Sequence, residues 1–255
     1  MFTSNPFAEL SASIPPIVMQ AYIVVMIILV AGGTLFDIVH KKSATYFFNN
    51  WRNAKNKGTQ PVSGGEMVSL AVQTAAVEVL TSSEFCNARR RIAHLLTMYG
   101  FLAYVLTNFI MVFWYPTPAT PAPAILPLLW YLGALMVCGG GYWFWFFIRA
   151  DVAAEGHSPF RIVRADLFIL SLLASATLGL IWAIVGTSLF LGLYLIATTV
   201  LFGSVPWSKF SHMFFKPAAA FQKRVENANG SRSNLPAPAD KPEIFGSARQ
   251  LPRHY

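Results

Sequence analysis

The chain has 255 residues, 55% of them hydrophobic and only 12% charged, with a formal net charge of +8 at pH 7. An ordinary soluble domain carries about 25% charged residues, so too little polar surface is present to coat a globule of this size. This balance excludes a soluble domain and extended disorder, and the two cysteines, Cys86 and Cys138, read as free thiols rather than a disulfide scaffold.

Residues 1–16 carry no Lys or Arg and are expected to form an external N-terminal segment. A membrane span needs about 20 mostly apolar residues, and the first such run is 17–39, broken only by Gln20 and Asp37. It lacks a basic n-region and is too long for the apolar core of a cleavable signal peptide. The loop 40–91 is much longer than most connections. Within it Glu66, Ser69, Gln73 or Thr74, and Glu78 recur at helical spacing against Met67, Leu70, Ala71, Ala75 and Leu80. That pattern predicts a cytoplasmic amphipathic helix over about 66–82, either resting on the bilayer or docking a partner through Met67 and Leu70.

The second and third spans are expected at 92–115 and 124–148, on either side of the Pro-rich link 116–123, and a loop over 149–166 follows. Leu167 to Trp207 runs without a charge for about twice the length of a span. Gly186-Thr187-Ser188 offers turn chemistry in its middle, which divides it into spans at 167–185 and 188–207. The remainder, 208–255, is expected to be a largely extended tail. Its basic end contains Pro242-Glu243-Ile244-Phe245, where Ile244 and Phe245 offer either a partner anchor or simply a loose terminus.

Eight Lys and Arg fall between spans one and two, three between spans three and four, and eight after span five, which accounts for all 19. The positive-inside rule then puts the N-terminus outside and the C-terminus in the cytoplasm. The expected fold is an all-α integral membrane protein with five transmembrane helices and a cytoplasmic amphipathic helix. The charge is a topology signal, and no nucleic-acid partner is inferred from it.

No Ser/His/Asp arrangement, carboxylate pair, Cys cluster or phosphate-binding glycine loop is present, and Gly139-Gly140-Gly141 reads as a helix-packing run. The histidines carry what chemistry there is. His94 opens span two with Arg90 and Arg91 at i−4 and i−3, and His212 follows span five, so both belong at the cytoplasmic boundary. Two imidazoles on facing helices suit the axial positions of one haem b, with Arg90, Arg91, Lys209 and Lys216 placed to meet its propionates. The same two residues equally suit headgroup-level positions without a cofactor. His40 ends span one at the same level, His157 lies in a short loop, and His254 belongs to the tail. Arg89, Arg90 and Arg91 also form the most concentrated basic run for an acidic partner.

Arg89-Arg90-Arg91-Ile92-Ala93-His94-Leu95-Leu96-Thr97-Met98-Tyr99-Gly100-Phe101, Lys209-Phe210-Ser211-His212-Met213 and Asp240-Lys241-Pro242-Glu243-Ile244-Phe245-Gly246-Ser247-Ala248-Arg249 carry a resemblance. Over spans two to five and the tail, the chain resembles the membrane anchors associated with dissimilatory adenylylsulfate reductase. These are related to the cytochrome b subunits of respiratory nitrate reductase and heterodisulfide reductase. The resemblance implies a bacterial inner-membrane protein that holds the cytoplasmic α and β subunits of adenylylsulfate reductase, an iron–sulfur flavoenzyme, against the lipid and passes electrons to quinone. Family haems are carried by two His pairs. His94 and His212 match the cytoplasm-proximal pair, whereas Tyr104 and Tyr194 stand near the distal positions, which implies a single haem and a quinone site near the cytoplasmic side. Two other readings stay open: a haem-free docking protein for the same enzyme, and a transporter, which would normally show midplane ionisable residues or internal repeats.

Overall fold

The computed structural model describes residues 2–40, 42–83, 85, 87–149, 162–207 and 212–232. Among the described residues every regular element is helical: α1 (Pro6–Leu10), α2 (Pro16–His40), α3 (Ser43–Lys57), α4 (Gly64–Gln73), α5 (Ala88–Trp114), α6 (Ile125–Trp143), α7 (Leu167–Val185), α8 (Ser188–Gly203) and α9 (His212–Ala228). α4 and α6 run on as π-helical segments over Thr74–Leu80 and Phe144–Ile148. Four helices have the length and apolarity of membrane spans: α2, α5, α6 with its extension, and α7. The chain is on these grounds a multi-pass membrane protein.

The fifth apolar run behaves differently from the other four. α8 stops after 16 residues, and the chain passes through a 3₁₀ turn at Val205–Trp207. Pro206 has no N–H to continue an α-helical ladder, which accounts for the early stop.

Glycine sets the closest approach in the bundle. A Cβ on Gly100 would stand 2.7 Å from the Gly133 carbonyl oxygen, and one on Gly140 would stand 2.6 Å from that of Ala93. The α5 and α6 backbones are therefore in direct contact, the small-residue packing that replaces hydrophobic driving force in lipid. α7 and α8 form a hairpin closed by Gly186, whose φ of +72° supplies the left-handed turn, and Ser175 and Thr198 hydroxyls bond across it at 2.9 Å. α2 lies at the margin, held by Gln20 Nε2 donating to the Val112 carbonyl and the Tyr22 hydroxyl donating to that of Leu195. Most of its apolar surface is exposed, including Ile28, Leu35 and Val39, as suits a lipid-facing helix.

The two ends of the bundle differ in chemistry. At one end Asn5 Nδ2 donates to the Tyr115 carbonyl at 2.8 Å, and Phe7 packs at 5.6 Å from Trp130 and 5.3 Å from Trp182. The segments meeting there contain no Lys or Arg. At the other end Arg149 and Asp166 join α6 to α7 through a buried, two-bonded ion pair, and the guanidinium lies 4.1 Å from the centroid of Trp145.

Beyond that charged end, α3, α4 with its π-helical extension, and α9 pack into a helical cap. Thr59 N–H donates to the Asn229 carbonyl at 2.8 Å, Gln60 Nε2 to that of Ala228 at 2.6 Å, and Asn229 Nδ2 to that of Ala54 at 3.2 Å. Trp51 stacks on Phe221 at 5.9 Å, and Arg224 pairs with Glu78 at 2.9 Å. Within the tail expected to be largely extended over 208–255, of which only residues 212–232 are described, one part departs from that expectation. Its residues 212–228 are helical, because Ala218, Phe221 and Val225 present an apolar stripe that the loop helices cover.

Candidate functional site

His94 sits in the second turn of α5, a helix that begins where Asn87 Oδ1 accepts from the N–H groups of Arg89 and Arg90. Its imidazole Nδ1 lies 3.1 Å from Ser82 Oγ, and its ring centroid lies 4.8 Å from that of Phe85. Ser82 is 1% exposed and takes a positive φ of +48°, a conformation that a serine adopts only where its surroundings fix it. The link from the π-helical segment into α5 is therefore folded tightly around His94. Arg91 Nε donates to the Thr81 carbonyl at 2.7 Å and the Tyr99 hydroxyl to that of Leu80 at 2.7 Å, satisfying carbonyls left at the end of the π-helical segment. Lys216, one turn into α9, holds its ammonium 5.4 Å from the Phe85 centroid.

Phe85 thus connects the two segments on which the candidate haem ligands lie. Of His212 the backbone alone is described, as the first residue of α9. Lys209, Ile244, Phe245, His157 and His254 lie outside the described residues. His40 is exposed and stacks on Phe36 of its own helix at 5.3 Å. Arg89 is exposed, Arg90 and Arg91 are half-buried, and Met67 and Leu70 are half-buried on the side of α4 that meets α9. The large apolar residues that α4 leaves exposed are Val68 and Val72.

Phe85 packs against the His94 ring on one side and meets Lys216 of α9 on the other, and the Ser82 contact leaves Nε2 as the nitrogen able to ligate. At the positions that the resemblance makes distal, the described side chains are tyrosines. Tyr104 and Tyr194 are buried, the Tyr104 hydroxyl donates to the Ser175 carbonyl at 3.4 Å, Trp130 packs at 5.2 Å from Tyr104, and Trp182 stacks on Tyr194 at 5.8 Å.

Sequence reasoning missed Ser82, Phe85 and the Glu78–Arg224 pair. Phe85 carried no periodic signal in an irregular link, and an ion pair between residues 146 apart leaves no local trace. Asp37, 3% exposed and one turn before the end of α2, was visible as the only acid in the first apolar run. No family profile, curated protein or solved structure matches this chain.

Proposed function

We propose that this chain is a five-span anchor of the bacterial cytoplasmic membrane, N-terminus outside, whose cytoplasmic cap holds a soluble redox enzyme at the lipid surface without a haem of its own. The observation that carries it is the cap, in which a loop and a tail far apart in sequence are tied together by hydrogen bonds, a ring stack and an ion pair. A connecting loop needs no such construction, whereas a platform presenting a fixed surface does. The cap and its junction with α5 leave Lys42, Arg52, Lys57, Arg89 and Lys223 exposed, a basic surface for an acidic partner.

The partner's identity rests on the resemblance of the His94, His212 and Ile244-Phe245 strings, which points to the α and β subunits of adenylylsulfate reductase. Oxidation of sulfite with AMP to adenylylsulfate releases two electrons, and an anchor that holds the enzyme's iron–sulfur cluster at the bilayer surface lets quinone accept them. In this haem-free form, His94 is a brace that fixes the loop–α5 junction through Ser82 and Phe85.

The test is co-purification of the soluble enzyme with the chain in lipid nanodiscs. Association should weaken as salt rises, and reversing Arg89, Arg90 and Arg91 to Glu should lower it by about tenfold or more, largely through the on-rate. Association unchanged by both would remove the basic face from the account.

A further inference from the structure

We propose that α4 and its π-helical extension lie in the membrane surface at the charged end of the bundle, with Val68, Val72 and Leu80 seated among lipid chains at the headgroup boundary. The inference does not rest on the identity of the docked enzyme. The helix has three faces. Met67, Leu70, Thr74 and Glu78 are buried or half-buried on the side that meets α9. Glu66, Ser69 and Gln73 form an exposed polar face, where Gln73 Nε2 donates to Ser69 Oγ at 3.4 Å. The third face is apolar and uncovered: Val68, Val72 and Leu80 are 64%, 63% and 54% exposed, and Ala76 between them is exposed too. These residues repeat every four positions. Four residues of an α-helix overshoot a full turn by about 40°, so a stripe of this period drifts round an α-helix. The wider turn of the π-helical segment over Thr74–Leu80 limits that drift and keeps Leu80 in line with Val72.

The lipid-facing surface of α5 runs directly into this stripe. Ile92, Tyr99 and Leu106 recur every seventh residue, hence on one side of the span, and are 48%, 40% and 57% exposed. Tyr99 belongs to the charge-free run that begins at Ile92. Its hydroxyl donates to the Leu80 carbonyl at 2.7 Å, while Arg91 Nε donates to that of Thr81 at 2.7 Å. Leu80 and Thr81 are thereby held between the last cation of α5 and its apolar length, which is the headgroup boundary. α9 keeps the rest of the helix near that level. It begins at His212, shortly after the 3₁₀ turn at the end of α8, yet its Arg224 pairs with Glu78, two residues before Leu80. A helix with both of these points near the boundary runs along the surface rather than away from it. A face of valine and leucine continuous with the exposed side of a span is covered by lipid through burial of its apolar area. No Lys or Arg occurs between Lys57 and Arg89, so the helix itself brings no cation to anionic headgroups.

The experiment uses the full chain in phosphatidylcholine nanodiscs, with Cys86→Ser and Cys138→Ser as background. A nitroxide is attached through Val68→Cys, Val72→Cys, Ser69→Cys or Gln73→Cys, all at exposed positions, so each variant should keep the helicity of the parent. Its collision rates are measured with oxygen, which concentrates in lipid, and with a neutral, water-soluble nickel chelate. Leu106→Cys, on the exposed side of α5, gives the lipid reference. The oxygen-to-nickel ratio should be several-fold higher at positions 68 and 72 than at 69 and 73, and should approach that of 106. It should stay the same when half of the lipid is phosphatidylglycerol. Equal ratios at 72 and 73 would overturn the proposal by leaving the stripe in water. Protection of position 72 from both reagents would overturn it too, assigning the stripe to a second copy if the nitroxides couple magnetically and to another part of this chain if they do not. A high ratio seen only with phosphatidylglycerol would credit the neighbouring arginines with the attachment and overturn the role of the stripe.

Discussion

Replacing Gly100 by Ala tests whether α5 and α6 touch through their backbones. The added methyl would stand 2.7 Å from both the Gly133 carbonyl oxygen and Met136 Cβ, and 2.8 Å from the Val137 nitrogen. Ordinary contacts lie near 3.5 Å, so α6 would have to retreat by roughly 0.7 Å or more. Two of the three obstructing atoms belong to backbone and cannot rotate away. Overpacking of this kind costs about 1–3 kcal/mol, against which alanine returns about 1 kcal/mol of helix propensity. The net expectation is a loss of up to about 2 kcal/mol. Gly139, with nothing within 4 Å of its hypothetical Cβ, is the internal control, since Gly139→Ala keeps the propensity gain alone. Equilibrium unfolding of both variants in mixed detergent should therefore leave Gly100→Ala less stable than Gly139→Ala by about 1–3 kcal/mol. Equal midpoints would refute the close approach, and with it the placement of Arg89–Arg91 and His94 by this helix pair.

Arg149 and Asp166 are a buried pair, with side chains 6% and 12% exposed. Arg149→Met or Asp166→Leu alone should cost about 3–5 kcal/mol, while the double variant should recover most of that loss; thermal unfolding of the three variants checks it. A reporter fused at Thr120 should read external, and one within residues 53–58 cytoplasmic, because Lys and Arg occupy alternate segments only. A cytoplasmic signal at Thr120 would overturn the five-span topology. Haem-loaded expression should yield protein with no low-spin b-type spectrum, and His94→Ala should lower stability by about 1–2 kcal/mol through loss of the Ser82 contact. A b-type spectrum abolished by His94→Ala and His212→Ala would restore the haem-bearing form.

The spans were legible because apolar length is a one-dimensional signal that lipid enforces. Gly186, charge-free and flanked by Thr187, marked the α7–α8 turn for the same local reason. Helical spacing is legible over α4 and its extension, whereas the packing of α4 against α9 is not, because periodicity separates faces without naming what covers each. α9 shows the limit from the other direction. Ala218, Phe221 and Val225 carry a helical stripe, yet Pro217 interrupts it and the residues that bury it lie in a loop over 140 positions earlier. The histidine site was half legible. Position and depth of His94 follow from its apolar run, whereas its neighbours Ser82 and Phe85 come from an irregular link whose path only three-dimensional packing fixes.

The account stands most directly on one measurement: quinone reduction by soluble adenylylsulfate reductase, supplied with sulfite and AMP, in nanodiscs with and without the intact chain, while the optical spectrum of the chain is followed. The account predicts quinol formation that requires the chain, falls on reversal of Arg89, Arg90 and Arg91, and proceeds with no haem signal. Quinol formed at the same rate without the chain, or no binding of the enzyme at any salt concentration, would contradict it.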